Sequence, residues 1–216
     1  MEYIHNTEQF QFHNTVVALG KFDGMHKGHQ LIFDELIQYK QLGYQAAVFS
    51  FDRPPLNMLK HKHMRVIYTT NEKIKLLARR GIDIYIEHPF TDEFSHLSPE
   101  DFVIKVLLEK TGMKVLVVGD DCGFGYKRQG NVELLERMSK EYDFKLIVIP
   151  KLELEGEIVS STRIRHLLSE GKVEEANRLM EDPFMICGSV VHGNHMGAEV
   201  LQMPTANQIP LEDKLL

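Results

Sequence analysis

Short apolar runs alternate with amphipathic segments along this chain, and this alternation predicts strands and helices in turn. The strand candidates are Val16–Leu19, Gln45–Phe51, Ile82–Ile86, Val115–Val118 and Leu146–Ile149. Between them, apolar residues recur at helical spacing. Strands that alternate with helices predict an α/β fold with a parallel sheet covered on both faces. Because crossovers are right-handed, we expect a doubly wound sheet that binds ligands at the carboxyl ends of its strands.

The helix candidates have recognisable ends. Thr69–Glu72 reads as a capping box and Gly81 as the stop of the same helix. The other candidates begin or lie at Gln30–Ile37, Ser98-Pro99, Asn131, Ser161–Leu168 and Val173–Met180. After Pro183 the character changes, and Phe184–Val191 reads as a further strand. We therefore predict two modules, residues 1–183 and residues 184–216.

A glycine-rich turn joins the first predicted strand to the first helix. It reads Gly20-Lys-Phe-Asp-Gly-Met-His-Lys-Gly-His29, so His26 and His29 are three residues apart at a helix start and face the same side. The free N–H groups and positive dipole end of that helix favour phosphate. The other candidates in this turn are Gly20, Phe22, Asp23, Gly24 and Gly28. The alternative is a pair of surface histidines, and Asp23 either orients a histidine or holds the turn.

A second candidate site follows the last predicted strand of the sheet. Val159-Ser-Ser-Thr-Arg-Ile-Arg165 opens a helix, so Ser160, Ser161 and Thr162 offer hydroxyl and N–H groups at its N-terminus. Arg163 and Arg165 add positive charge, and arginine can bind phosphate with two parallel hydrogen bonds. The alternative is an ordinary Ser/Thr cap with solvated arginines.

A third candidate is the glycine-rich loop Gly119–Asn131, which follows the strand Val115–Val118. A loop of this kind at a strand end can hold a ribose and a flat ring. Asp120 is the candidate nucleotide contact and Arg128 the candidate anion contact. Asn131 is a helix cap, a ligand contact or both, and the alternative for the whole segment is a flexible loop.

These motifs resemble those of nucleotidyltransferases, in which a strand–turn–helix carries His-x-Gly-His. The fuller pattern Gly-x-Phe-Asp-Gly-x-His-x-Gly-His-Gln resembles the bacterial FAD synthetases, and Val159–Arg165 is similar to their Ile-Ser-Ser-Thr-x-x-Arg. Two further stretches, Phe51–Pro55 and Pro89–Phe102, match the same family. The resemblance implies a Rossmann-like nucleotidyltransferase fold and transfer of AMP from ATP to FMN, with Mg²⁺, giving FAD and pyrophosphate.

The resemblance also assigns roles to residues of this chain. It implies His26, His29, Ser161 and Arg163 as catalytic residues that handle the triphosphate. The nucleotide contacts implied are Gly20, Phe22, Asp23, Gly24, Gly28, Asp120, Val159, Ser160 and Thr162. The flavin contacts implied are Phe51, Asp52, Phe90, Phe94, Phe124, Arg128 and Asn131, although Phe94 reads equally well as a core residue. No protein metal ligand is expected, because Mg²⁺ prefers nucleotide phosphates and water.

The chain departs from the family pattern at three positions. Arg53 and Pro54 stand where the family has proline and histidine, and Cys122 stands where it usually has phenylalanine. The altered loop leaves the acceptor open, so a transferase for another phosphate acceptor is one alternative. A non-catalytic flavin- or nucleotide-binding regulator is the other.

Composition excludes several classes of partner. The net charge of −6 argues against bulk nucleic-acid binding, and the chain has no apolar run long enough to span a membrane. The N-terminus lacks the features of a signal peptide, and two isolated cysteines are typical of a reducing cytoplasm. His61 and His63 lie in a basic cluster, but without a cysteine or a carboxylate pair a solvated loop is favoured over a zinc site.

The C-terminal segment resembles the start of a riboflavin kinase module. Gly188–Gly193, Gly197 and Pro204-Thr-Ala-Asn207 match its motifs, but only nine residues follow Asn207, too few to close a β-barrel. We therefore expect FAD from FMN but no FMN from riboflavin. The tail would expose apolar strand edges unless it folds back or pairs with another copy, which raises a homodimer through the tail as a hypothesis.

Overall fold

The computed structural model describes residues 1–52, 65–191, 207–210 and 214–216. Six parallel strands form its central sheet: β1 (Glu2–His5), β2 (Thr15–Leu19), β3 (Gln45–Phe51), β4 (Ile84–His88), β5 (Met113–Gly119) and β6 (Lys145–Ile149). Their order across the sheet is β1-β4-β3-β2-β5-β6. The predictions at Arg53, Pro54, His61, His63, Gly193, Gly197 and Pro204 lie outside the described residues.

Helices connect the strands, and those that follow Thr69, Ser98 and Asn131 begin at the predicted caps. They are α1 (Lys27–Gln41), α2 (Thr70–Arg80), α3 (Asp92–Ser95), α4 (Pro99–Asp101, continuing as a π-helix over Phe102–Leu108), α5 (Val132–Glu141), α6 (Ser161–Ser169) and α7 (Val173–Leu179). The capping box at Thr69 and Glu72 is present in both directions, and Gly81 ends α2 in the left-handed conformation. Ser98 and Asn131 also accept the cap hydrogen bonds that the sequence predicts.

Successive side chains of the central strands pack into two separate cores. Val16 and Ala18 of β2 face the core that contains α1, α2, α6 and α7. Val17 and Leu19 face the core formed with α4, its π-helical extension and α5. Both faces of the sheet are therefore covered, which confirms the doubly wound α/β prediction.

The direction of chain progress reverses between β2 and β5. From β2 the chain moves through β3 to β4 on one side, and it returns to place β5 and β6 on the other side. The carboxyl ends of β2 and β5 flank the crevice in which open α/β sheets bind ligands. The loops after Leu19 and Gly119 begin there.

Several details of the fold differ from the sequence prediction. The edge strand β1 is missing from the prediction, as is a small hairpin of β7 (Glu153–Leu154) and β8 (Glu157–Ile158). The fourth strand begins at Ile84 rather than Ile82, because the N–H of Ile82 still donates to the carbonyl oxygen of Leu77 and completes the end of α2.

The segment after Pro183 is a strand only in its second half. The N–H groups of Phe184 and Cys187 donate to the side chains of Asn177 and Glu72, both at 2.7 Å, so they pair with no strand. The strand β9 (Gly188–Val191) pairs antiparallel with β10 (Asn207–Pro210). Lys214 and Leu215 are buried, so this part of the tail folds back onto the domain. Folding back was one of the two arrangements expected for the tail.

Candidate active site

His26 and His29 form a stacked pair at the start of α1. His26 is the N-cap residue, and its Nδ1 accepts a hydrogen bond from the backbone N–H of His29 at 3.3 Å. The ring centroids are 3.6 Å apart and the planes differ by 17°. Because Nδ1 of His26 accepts, the proton of the neutral ring lies on Nε2, which donates to no other group in the part of the chain that the structure describes.

Burial keeps both imidazoles neutral at pH 7. His26 is 8% exposed, and burial lowers its pKa to about 4. Burial and the neighbouring His26 hold the pKa of His29 well below its usual value. Nδ1 of His29 is buried and has no hydrogen-bond partner among the described residues. The pair therefore offers neutral hydrogen-bonding groups rather than positive charge.

Asp23 holds the glycine-rich turn against the rest of the domain. Its Oδ1 accepts from the backbone N–H groups of Ile67 and Tyr68 at 3.0 and 3.2 Å. Its Oδ2 forms an ion pair with Arg165, and its carbonyl oxygen accepts from the hydroxyl of Ser161. Of the two roles predicted for Asp23, these contacts are those of holding the turn.

Two glycines of the turn are required by close packing. Gly24 has a φ of 84°, and a Cβ there would lie 2.9 Å from Cδ1 of Ile67. A Cβ at Gly28 would lie 3.2 Å from the His26 ring. Gly28 thus makes room for the imidazole itself, in addition to the predicted approach of phosphate.

The N-terminus of α6 meets the histidine turn, which joins the first and second predicted sites. Ser160 is the N-cap and accepts from the N–H of Arg163 at 3.3 Å, whereas the Ser161 hydroxyl reaches back to Asp23. Val159 is buried, and its N–H donates to the carbonyl oxygen of Leu152 at 2.8 Å. Thr162 is exposed.

Arg165 was predicted only to add positive charge and was not among the predicted catalytic or binding residues. It contacts Asp23, and its Nε is buried without a hydrogen-bond partner in the described parts of the chain. Arg163 pairs with the exposed Glu157 at 2.9 Å, and its Nη1 is likewise buried and unpartnered there. The motif contained the signal, because the arginine of Ile-Ser-Ser-Thr-x-x-Arg falls on position 165.

Positive charge converges on the crevice from two of its loops. The pKa of Lys21 is lowered by partial burial and by the neighbouring charges of Arg128 and Arg165. Such mutual repulsion is relieved when an anion binds between the cations. The turn and the third loop thus bring cations together where phosphate was predicted.

The third loop contains one core residue and one helix cap among its candidates. Asp120 is exposed and its Oδ2 accepts from the N–H of Lys151 at 3.2 Å. Asn131 caps α5 by accepting from Leu134 at 2.9 Å. Phe124 packs in the core against Phe102, with ring centroids 5.8 Å apart, so its ring does not line the surface of the crevice.

An aromatic cluster lies at the carboxyl ends of β3 and β4. Phe51 contacts Phe90 and Phe94 with centroid distances of 5.5 and 5.7 Å. Asp52 accepts from the N–H of Phe90 at 2.9 Å, which joins the ends of the two strands. The sequence analysis missed His88, whose ring centroid lies 4.3 Å from that of Phe94. Its buried Nε2 has no hydrogen-bond partner in the residues that the structure describes. This cluster offers flat apolar surface beside the crevice.

Two other kinds of site are absent from the described ranges. No three His, Cys, Asp or Glu side chains there converge in a way that could hold a metal ion. None of the helices there combines the length and apolar character that a bilayer crossing requires.

Comparison with known proteins identifies relatives over almost the whole chain. The family model described as FAD synthetase matches residues 8–163, and the one described as riboflavin kinase matches residues 180–216. A bifunctional riboflavin kinase/FMN adenylyltransferase of Buchnera aphidicola (subsp. Schizaphis graminum) is 39% identical over 94% of this chain and 66% of its own length. A FAD synthetase of Listeria monocytogenes is 32% identical over 88% of this chain and 77% of its own.

A solved structure has the same fold. It is titled a macrolide-efflux protein from Streptococcus pneumoniae, is 30% identical, and superposes with a TM-score of 0.84 over 98% of this chain and 69% of that one. The chain thus spans about two thirds of the length of the bifunctional relative.

Proposed function

Because this chain belongs to the FAD synthetase family, we propose that it transfers the adenylyl group of ATP to FMN, giving FAD and pyrophosphate. The observation that carries the proposal is the buried, neutral pair His26 and His29 beside the N-terminus of α6. Buried polar atoms of His29, Arg163 and Arg165 have no hydrogen-bond partner among the described residues, which supports a ligand rich in acceptor oxygens.

In the proposed reaction an oxygen of the FMN phosphate attacks the α-phosphorus of ATP in line. The bond from that phosphorus to the oxygen bridging to the β-phosphate breaks, and pyrophosphate leaves with the electron pair. The protein supplies position and charge stabilisation rather than a covalent nucleophile. The Nε2–H of His26 donates to a phosphate oxygen, and Arg163 and Arg165 stabilise the negative charge that develops on pyrophosphate.

Neutral histidines suit this role. An imidazole that is neutral at pH 7 donates a hydrogen bond without presenting a proton acidic enough to protonate the attacking phosphate. The positive charge comes instead from Lys21, Arg128 and the arginines of α6. Mg²⁺ in this proposal belongs to the nucleotide substrate, with phosphates and water as its ligands.

The flavin is proposed to lie against the aromatic cluster of Phe51, Phe90 and Phe94, next to Asp52. Arg128 and Asn131 stay proposed contacts on the opposite loop. Phe124 is proposed to support that loop from beneath, because its ring packs in the core. The division into residues 1–183 and 184–216 also stays a proposal.

The test is incubation of purified protein with ATP, Mg²⁺ and FMN, followed by chromatographic detection of FAD and a separate measurement of pyrophosphate. We expect equal amounts of both products, and we expect His29→Ala to reduce turnover by at least about a hundredfold. The matched control is His166→Ala, because His166 is an exposed histidine on the outer side of α6.

Riboflavin is offered with ATP in a separate arm, which tests the expectation that no FMN forms. Pyrophosphate release with another phosphate acceptor but no FAD from FMN would show that the flavin assignment is wrong. ATP and flavin binding without any turnover would favour the regulator instead.

A further inference from the structure

Lys214 is a lysine whose ammonium group is fully enclosed by the domain. It is 1% exposed, and its Nζ donates to Oε2 of Glu72 at 2.8 Å and to the carbonyl oxygens of Ile67 and Met185 at 2.5 and 2.7 Å. The ammonium also lies 4.4 Å from the ring centroid of Phe184. All three of its protons have acceptors, which is the condition for burying such a charge.

Glu72 connects this lysine to the start of α2. Its Oε2 accepts from the backbone N–H of Thr69 at 2.8 Å, as the capping box requires, and also from Lys214. Its Oε1 accepts from the N–H of Cys187 at 2.7 Å. One buried carboxylate therefore ties together the helix start, the segment after Pro183 and Lys214.

The segment Val66–Tyr68 lies between Lys214 and the histidine turn. On one side, the carbonyl oxygen of Ile67 accepts from Lys214, and that of Val66 accepts from the N–H of Leu215 at 2.9 Å. On the other side, the N–H groups of Ile67 and Tyr68 both donate to Asp23. The segment Val66–Tyr68 is thus held by hydrogen bonds from the tail through its carbonyl oxygens and from the turn through its N–H groups.

We propose that Lys214 is a positioning residue for the adenylyl-transfer site. Lys214 holds Val66–Tyr68 in place, and the N–H groups of that segment hold the carboxylate of Asp23. Asp23 in turn pairs with Arg165 and anchors the turn that contains His26. The effect on turnover rests on the proposed function, whereas the effect on the conformation of the turn does not. The segment that matches riboflavin kinase thereby contributes to the site of the FAD synthetase segment.

The test compares Lys214→Met with Lys73→Met as a matched control. Lys73 is on α2 and pairs with the mostly buried Glu87 at 3.3 Å. Within the described ranges its side chain makes no hydrogen bond to Val66–Tyr68 or to Asp23. At a temperature at which both variants are fully folded, we expect Lys214→Met to lower kcat/KM for ATP by about tenfold and Lys73→Met to change it by less than about twofold. Equal effects of the two substitutions, or no effect of the first, overturn the proposal.

Glu72→Gln is the second variant, used if Lys214→Met does not fold. Glutamine can still close the capping box with its single carbonyl oxygen. This change removes the charge that holds Lys214 and also the acceptor for the N–H of Cys187, because an amide nitrogen cannot accept. We expect a loss in the same direction of about threefold. An unchanged kcat/KM in this variant overturns the proposal as well.

A measurement independent of turnover separates this proposal from the proposed function. In protein labelled with ¹⁵N-histidine, we expect the imidazole signals of His26 and His29 to shift in Lys214→Met and to stay in place in Lys73→Met. If the unmodified protein makes no FAD, the proposed function fails while this comparison still tests the contact. Signals that do not move in Lys214→Met refute the positioning role.

Discussion

The neutral state of His26 has a consequence for stability that can be measured by acidification. The unfolded chain binds a proton on this imidazole near pH 6.5, whereas the folded protein binds it only near a pKa of about 4. Between these values the unfolded state therefore binds more protons, so stability falls as the pH falls. The stability that His26 contributes as a neutral, buried ring is fully present above pH 6.5 and is lost progressively as the pH falls towards 4.

The magnitude follows from the separation of the two pKa values. Each pH unit in this window costs about 1.4 kcal/mol, so His26 accounts for a loss of about 2 kcal/mol between pH 6.5 and pH 5. The informative variant is His26→Asn, because asparagine is a good N-cap residue and can still accept from the N–H of His29. The variant removes the titrating group and keeps the helix start.

The assay is urea unfolding of both proteins at pH 7 and pH 5. We expect the unmodified protein to lose about 2 kcal/mol more than His26→Asn between the two conditions. An NMR titration that follows the His26 imidazole provides a direct check. Equal losses in the two proteins, or titration of His26 near pH 6.5, would refute the inference that the ring is buried and neutral.

Two further substitutions test the turn and its anchor. Gly24→Ala is expected to destabilise the fold by about 1–2 kcal/mol in urea unfolding, because Gly24 has a φ of 84° and a Cβ would meet Ile67; an unchanged midpoint contradicts this. Arg165→Lys keeps the charge but loses the planar fork, so it should lower kcat/KM for ATP by about a hundredfold in the FAD assay. Arg163→Lys serves as its comparison with a smaller loss expected, and a larger loss there than in Arg165→Lys contradicts this ranking.

The strands and helices of the sheet were predictable because their signals are local. Alternating apolar runs and the caps at Thr69, Ser98 and Asn131 act within a few residues. The edge strand β1 could not be predicted, because it is short and half-buried. Its Tyr3 donates a hydrogen bond to Glu87, which is 84 residues away in the sequence. Its place in the sheet depends on a contact that no local pattern encodes.

The candidate site divides in the same way. The motif with His26 and His29 is contiguous, so sequence reasoning found it. The neutral state of the rings follows from burial, and the pairing of Asp23 with Arg165 joins residues 142 positions apart, so neither could be derived from spacing. The ion pair of Glu72 with Lys214 also joins residues 142 positions apart, so it could not be predicted from spacing either.

The place of α6 after β6 in the chain sets the order in which the site is completed during synthesis. A chain extended only as far as β6 already contains the histidine turn, yet it lacks Ser161 and Arg165, which hold that turn. Closing such a long loop is a slow, non-local event. Under the proposed function, nucleotide finds its complete binding site only on a chain whose sheet has formed and whose α6 has docked. Binding would then stabilise the finished fold rather than its early intermediates.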